Sequence, residues 1–431
     1  MKLAALFSDN MVLQRERPVP VWGWSSPGDA IAVSFAGQTH TATAGADALW
    51  MATLDPLPVS DQSGILTAES KSSGTKLEVR NVLIGDVWLC SGQSNMEWPV
   101  GLAINSDAEI AAAEHPRIRL CSVAKVMAES PQAEVAADWK VCSPASVAVF
   151  SAVGYFFGRE LQHATGVPIG LIHASWGGTR IEAWTSRPAL ESDAECDENG
   201  MAGLYNGMIA PLAPAALQGA IWYQGESNVE NADRYRRLFP LMIGDWRRTF
   251  CHETLPFFFV QLANFMAPQK NPTQSGWAEL RDAQTATLDV PHTGMAVAID
   301  IGEADDIHPT NKQEVGRRLA LSALAQVYGL PLAGSGPLYR SHEIEGGAIR
   351  VHFRHAEGGL KTSDGASPKT FAIAGGDGTF EWADAVIDGE KVVVRSDLVS
   401  EPVSVSYAWA NNPPANLCGT SGLPASPFRE R

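Results

Sequence analysis

The feature that leaves this chain the fewest folds is a rhythm of apolar runs and amphipathic segments between Ile84 and Leu330. The apolar runs are Val87–Cys90, Ile118–Val123, Pro168–Ala174, Ala220–Tyr223, Pro256–Leu262 and Met295–Ile301. Each is short and continuously apolar, as a strand buried on both faces must be. Helical patterns lie between them: Phe150–His163, a stretch in which Tyr235, Leu238, Met242 and Trp246 recur at i, i+3, i+4 spacing, and Asn311–Tyr328. Strands alternating with helices imply a parallel sheet covered on both faces. Right-handed crossovers then bring the strand carboxyl ends to one edge, where open α/β sheets hold their sites.

Outside this stretch the texture is β. Val19–Trp24, Ala30–Gly37 and Leu49–Leu54 are short alternating runs separated by the turn clusters SSPGD and SDQSG. Ile349–Ala356, Thr370–Gly375, Lys391–Ser396 and Pro402–Ala410 repeat the texture near the other end. The expected organisation is a β domain over 1–80, an α/β domain over 81–332 and a second β domain over 333–431, the two β regions being sandwich-like and able to pack together.

Composition narrows the function. A formal net charge of −16 supplies no basic face for nucleic acid or an anionic membrane surface. No stretch reaches the ~18–20 consecutive apolar residues of a membrane span. The first residues, MKLAALFSDNMVLQ, are too short in apolar run for a signal peptide, so the expected location is the cytoplasm, or the periplasm or exterior if a signal has been removed. Six cysteines show no C-x-x-C pair, and the sequence leaves open a bridge between Cys121 and Cys142. The 13 tryptophans read first as core residues and second as sugar platforms. The ten histidines form no metal-ligand grouping, and His163, His173 and His292 read as structural.

Four segments fall at strand ends of the expected sheet. Gly92-Gln93-Ser94-Asn95-Met96 follows the first run and supplies a hydroxyl. Ser175-Trp176-Gly177-Gly178-Thr179-Arg180 supplies a glycine pair. Gln224-Gly225-Glu226-Ser227-Asn228 supplies an amide cluster, and Asp305-Asp306-Ile307-His308-Pro309 an acid–histidine pair. A serine hydroxyl becomes a nucleophile once a base within roughly 2.6–3.2 Å takes its proton. His308 is the base candidate, and a carboxylate on its other ring nitrogen fixes the tautomer. Glycines let backbone N–H groups approach an oxyanion, and Gln224 or Asn228 can add a side-chain donor. Each piece alone has a plainer reading: Gly177-Gly178 as a tight turn, Asp306 as the cap of the following helix, Glu226 as one of a glycosidase pair. Their joint placement at strand ends favours acyl transfer.

The blocks GQSNMEWP, SWGGTRIEAW, WYQGESN and DIHPTNKQEVGRRLA resemble the signatures of the sialate O-acetylesterase family within the SGNH hydrolases. LFSDNMVLQR, VPVWGW, YAWANNP and GLPASPF resemble its bacterial members. The resemblance implies a flavodoxin-like three-layer α/β/α core, no metal or other cofactor, and removal of acetyl groups from carbohydrate hydroxyls. It places Ser94 as nucleophile and His308 as base, with Asp305 as the acid and Asp306 as the alternative. The Ser94 and Gly178 N–H groups and the Gln224 amide make the oxyanion hole, with Asn228 in reserve. Asn95, Arg180, Trp184, Glu226 and Asn228 become the residues expected to grip the sugar. The substrate stays open between a sialate and an acetylated plant polysaccharide such as xylan or xyloglucan. A catalytically inactive carbohydrate-binding protein is the reading from another class, and the retained Ser94 and His308 oppose it.

Overall fold

The computed structural model describes residues 1–193 and 201–430. The chain forms two compact units, residues 1–222 with 241–257, and residues 223–240 with 258–431.

The first unit is built on one long strand, β1 (Lys76–Gly92). Its first half pairs antiparallel with Ser60–Ser70, and Val12–Gln14 runs parallel to Leu83–Gly85. The strand continues without a break into the main sheet. There it is joined by β2 (His115–Val123), β3 (Ala137–Cys142), β4 (Ile169–Ser175) and β5 (Gly219–Tyr223), in the order β3-β2-β4-β1-β5. Asn81 takes a left-handed φ of 56° inside β1, a conformation Asn tolerates better than most residues. The buried guanidinium of Arg119 secures that kink by donating to the carbonyls of Asn81 at 3.0 Å and Asn10 at 2.9 Å.

β4 runs parallel to both β1 and β2, as expected from a helical crossover. The sheet is nonetheless mixed, not wholly parallel, because β3 lies antiparallel on β2 at the edge. Its sequence, ADWKVC, alternates exposed and buried positions and carries no continuous apolar run, so it gives none of the signal of a doubly covered strand. Helix α1 (Ala152–Thr165) packs on β4. Ser151 Oγ caps it by accepting the Gly154 N–H at 3.1 Å, and Gly166 ends it at a φ of 70°. Trp88, Trp184, Trp222 and Trp246 are fully buried, and the last three pack edge to face at centroid separations of 6.0 and 5.7 Å. The tryptophans of this unit's core are thus packing residues. Cys121 and Cys142 are buried free thiols, and Cys196 lies outside the described residues.

Helix α2 (Ala232–Thr249) carries the Tyr235–Trp246 pattern. In the second unit β6 (Phe257–Gln261) neighbours β7 (Thr293–Val297), with α3 (Gly276–Ala286) between them in sequence and α4 (Lys312–Gln326) packed on β7. Two four-stranded antiparallel sheets follow. One orders Leu338–Glu345, Ala348–Arg354, Lys391–Arg395 and Asp384–Asp388; the other orders Phe380–Trp382, Phe371–Ala374, Ser404–Tyr407 and Phe428–Glu430. Ile349, Val351, Phe371, Val392, Val405 and Tyr407 belong to one apolar core. Among the described residues no helix is long and apolar enough to cross a membrane.

Candidate active site

The sequence-predicted site residues fall into two groups, one in each unit. In the first unit the register of the sheet does the positioning. Ser175 of β4 is the partner of Gly92 of β1, so the chain leaves both strands side by side, and the Trp176 N–H donates to the Gly92 carbonyl at 3.1 Å. Gln93 then stands at the N-cap position of a single turn, Ser94–Glu97, with half-buried Ser94 at its first position and Asn95 buried. Ser151 Oγ donates to the Met96 carbonyl at 2.6 Å and holds this turn down.

The two glycines after β4 have different tasks. A Cβ on Gly177 would stand 3.2 Å from Ser94 Cβ, so this glycine is what lets its loop lie against the serine. Its N–H donates to Glu97 Oε2 at 2.7 Å. Gly178 has a φ of 73°, a Cβ there would meet nothing within 4 Å, and among the described residues its N–H has no protein acceptor. One glycine is tied down, and the next is exposed with its N–H unclaimed among the described residues. Arg180 is exposed, and its guanidinium has no ion-pair or hydrogen-bond partner among the described residues. Trp184 departs from expectation. It is fully buried, its indole N–H donating to Thr179 Oγ1 at 2.9 Å, so it supports the loop from below and is not a rim residue. His173 is a supporting histidine, 2.5 Å from Ser175 Oγ through Nε2, and burial holds its pKa down to about 4.

In the second unit Gln224 and Asn228 are both buried, and Gln224 Nε2 donates to Asn228 Oδ1 at 2.7 Å. The Gln224 carbonyl accepts from Gln284 Nε2 at 3.1 Å and Tyr235 Oη at 3.3 Å, which fixes the loop at its origin. His308 stands after β7 on a loop closed by Glu303, whose Oε1 accepts both the N–H and the hydroxyl of Thr310 at 2.8 Å. Asp306 Oδ1 accepts the His308 N–H at 2.8 Å and lies 3.4 Å from His308 Nδ1. Asp305 is exposed and, among the described residues, makes no hydrogen bond or ion pair. The carboxylate against the imidazole is therefore that of Asp306, where the sequence reading put Asp305 first. Nor does Asp306 cap the next helix: Asn311 does, accepting the Glu314 N–H at 3.2 Å.

Three charged residues inside the motifs or beside them had been given no role. Glu97 binds Gly177 and is ion-paired with Lys125, whose ammonium lies 5.6 Å from the Trp176 ring. Lys312 is fully buried, 5.5 Å over the Tyr223 ring. Desolvation pushes its pKa down to about 7, against the opposing pull of Glu226, Glu303 and Asp306. A Lys in the first turn of a helix ordinarily reads as solvated, which is why pattern alone passes over it. Among the described residues no group of three or more His, Cys, Asp or Glu could hold a metal ion.

Residues 84–325 match the family model for the carbohydrate esterases described as sialic acid-specific acetylesterases. The chain belongs to that family. It is 35% identical to human sialate O-acetylesterase over 80% of this chain and 74% of that one. To the mouse sialate O-acetylesterase it is 31% identical, over 99% of this chain and 94% of that one. Among solved structures, a carbohydrate acetylesterase from Xanthomonas citri shares 44% identity and superposes with a TM-score of 0.94, covering 100% of this chain and 99% of that one. Membership in the sialic acid-specific acetylesterase family makes the protein a carboxylic-ester hydrolase on an SGNH-type α/β core with added β regions, as its motifs led us to expect.

Proposed function

We propose that the protein removes acetyl groups from carbohydrate hydroxyls through an acetyl-enzyme formed on Ser94. Ser94 Oγ attacks the acetyl carbonyl carbon while His308 takes its proton. The sugar oxygen then leaves, carrying the proton from His308. Water attacks the Ser94 ester with His308 again as base, acetate departs, and the proton returns to Ser94. The observation that carries this reading is the Ser94–Gly178 pair, a half-buried serine on the turn that Gly177 contacts and, on the next residue of that loop, an exposed glycine whose N–H has no protein acceptor among the described residues. The position of Asp306 supports it as the group that orients His308. The Gln224–Asn228 hydrogen bond favours Asn228 as the side-chain oxyanion donor, with Gln224 as the brace that turns its amide.

Arg180 supports an acidic sugar at the reacting end, because an exposed guanidinium beside Gly178 suits a sialate carboxylate. Glu226 and Asn95, half-buried and buried, support the motif loops in this reading. The test is acetate release from p-nitrophenyl acetate, 9-O-acetylated sialic acid and acetylated xylan by wild type, Ser94→Ala and Arg180→Ala. Wild type is expected to release acetate and Ser94→Ala to release none, with Arg180→Ala impaired on the sialate alone. Full activity of Ser94→Ala contradicts the assignment, and silence of wild type on every ester favours a protein that only binds carbohydrate.

A further inference from the structure

Trp382 is the one tryptophan among the exposed large hydrophobic residues described, at 36% exposure. It ends the strand Phe380–Trp382, and its indole N–H donates to the Lys270 carbonyl at 2.8 Å. Its polar edge is thus satisfied within the protein, and what remains on offer is ring surface. That ring forms part of a groove of about 300 Å³, with Pro368, Ala383 and Pro414 as further apolar wall and half-buried Gln269 as an amide beside it. Among the described residues one charged residue lines the groove, Lys369, and it is ion-paired with Asp364 at 2.5 Å. An aromatic face with an amide beside it and no uncompensated charge suits the C–H face and hydroxyls of a neutral sugar, and does not suit a uronate or a sialate.

The groove wall is tied to the loop that carries His308. Asn412 Nδ2 donates to the Met266 carbonyl at 2.5 Å, and the Met266 N–H donates to the Ala304 carbonyl at 3.0 Å. Asn412 Oδ1 accepts from Asn264 Nδ2 at 2.7 Å, and Asn264 Oδ1 accepts the Gly302 N–H at 2.6 Å. Ala304 and Gly302 lie two and four residues before Asp306. Buried Arg281 stiffens the same wall, donating to the carbonyls of Ala410 at 2.7 Å and Asn411 at 3.0 Å. The groove is preformed, and it sits on the backbone that positions the base.

We propose that this groove is a subsite for the neutral sugar chain bearing the acetylated residue, with Trp382 as its stacking platform. The proposal rests on the esterase reading for the role of that chain, while occupancy of the groove is measured independently of turnover. Saturation-transfer NMR with xylohexaose, cellohexaose and N-acetyllactosamine separates plant-type from animal-type glycans. It is run on wild type, Trp382→Ala and Trp382→Phe, alongside p-nitrophenyl acetate turnover. Wild type is expected to transfer saturation to at least one of the three. Trp382→Ala should abolish that transfer, Trp382→Phe should keep it, and both should turn over p-nitrophenyl acetate within about twofold of wild type. No transfer to any oligosaccharide, or transfer that survives Trp382→Ala, overturns the subsite. Loss of p-nitrophenyl acetate turnover in Trp382→Ala overturns it too, since Trp382 would then support the catalytic loops. Absence of ester hydrolysis by wild type refutes the esterase reading alone and leaves the binding result to stand.

Discussion

Asp305 and Asp306 are neighbours in sequence, yet only one of them faces His308. Asp306 accepts the His308 N–H and lies 3.4 Å from Nδ1, whereas Asp305 is exposed without a partner among the described residues. Asp306→Asn is therefore expected to lower kcat by about 10- to 1,000-fold, through loss of the carboxylate that fixes the imidazole tautomer. Asp305→Asn should change kcat by less than about twofold, as an isolated surface charge does. The reverse pattern in steady-state kinetics removes Asp306 from the mechanism. Gly177→Ala tests the serine side. The added methyl must displace Ser94 by a few tenths of an ångström, and kcat should fall about tenfold or more with the melting temperature little changed. The sequence singled out Ser94, Gly178 and His308 because the role proposed for each needs a distinct residue type. It did not separate Asp305 from Asp306, or Gln224 from Asn228, because those choices depend on which side chain the loop turns inward. Lys312 carries a pH signature. Its folded pKa of about 7 lies below the 10.5 of an exposed lysine, so between those values the unfolded chain holds more protons. Its contribution is present above 10.5 and lost as the pH falls toward 7, so stability rises with pH across the window. Lys312→Met should flatten that rise in denaturation curves recorded from pH 7 to 10.

At the scale of elements, the shared register of β1 and β4 is what turns two distant motifs into one surface: Gly92 opposite Ser175 leaves Ser94 and Gly177 in contact. That pairing was legible in outline, since continuous apolar runs identify buried strands. Edge strand β3 and helix α3 were not. The first alternates instead of running apolar, and the second buries Arg281 where an apolar residue would have completed its stripe. Arg281 donates to four carbonyls, those of Leu262, Ala263, Ala410 and Asn411, from a fully buried position. Removing it leaves those acceptors desolvated. Arg281→Met is expected to cost about 3–5 kcal/mol, read from the urea midpoint. A cost below about 1 kcal/mol shows that the carbonyls find water instead.

For the whole molecule, the α/β core came from periodicity, whereas the mixed sheet and the continuity of β1 with the N-terminal strands came only from pairing, which a one-dimensional pattern does not encode. Acid should unfold the protein early. Burial is the main cause holding His173 and His252 down to about 4, against 6.5 for a free imidazole. The unfolded chain binds more protons between those values, so stability should fall as the pH drops from 6.5 to 4. His252→Gln should blunt that loss in pH-dependent melting. The central claim, that hydrolysis runs through Ser94, is tested most directly with a covalent probe. Diisopropyl fluorophosphate should phosphorylate Ser94 alone, located by peptide mass mapping, with activity lost in proportion to labelling and labelling abolished in His308→Ala. Modification at another serine, or activity that survives complete labelling of Ser94, would contradict it.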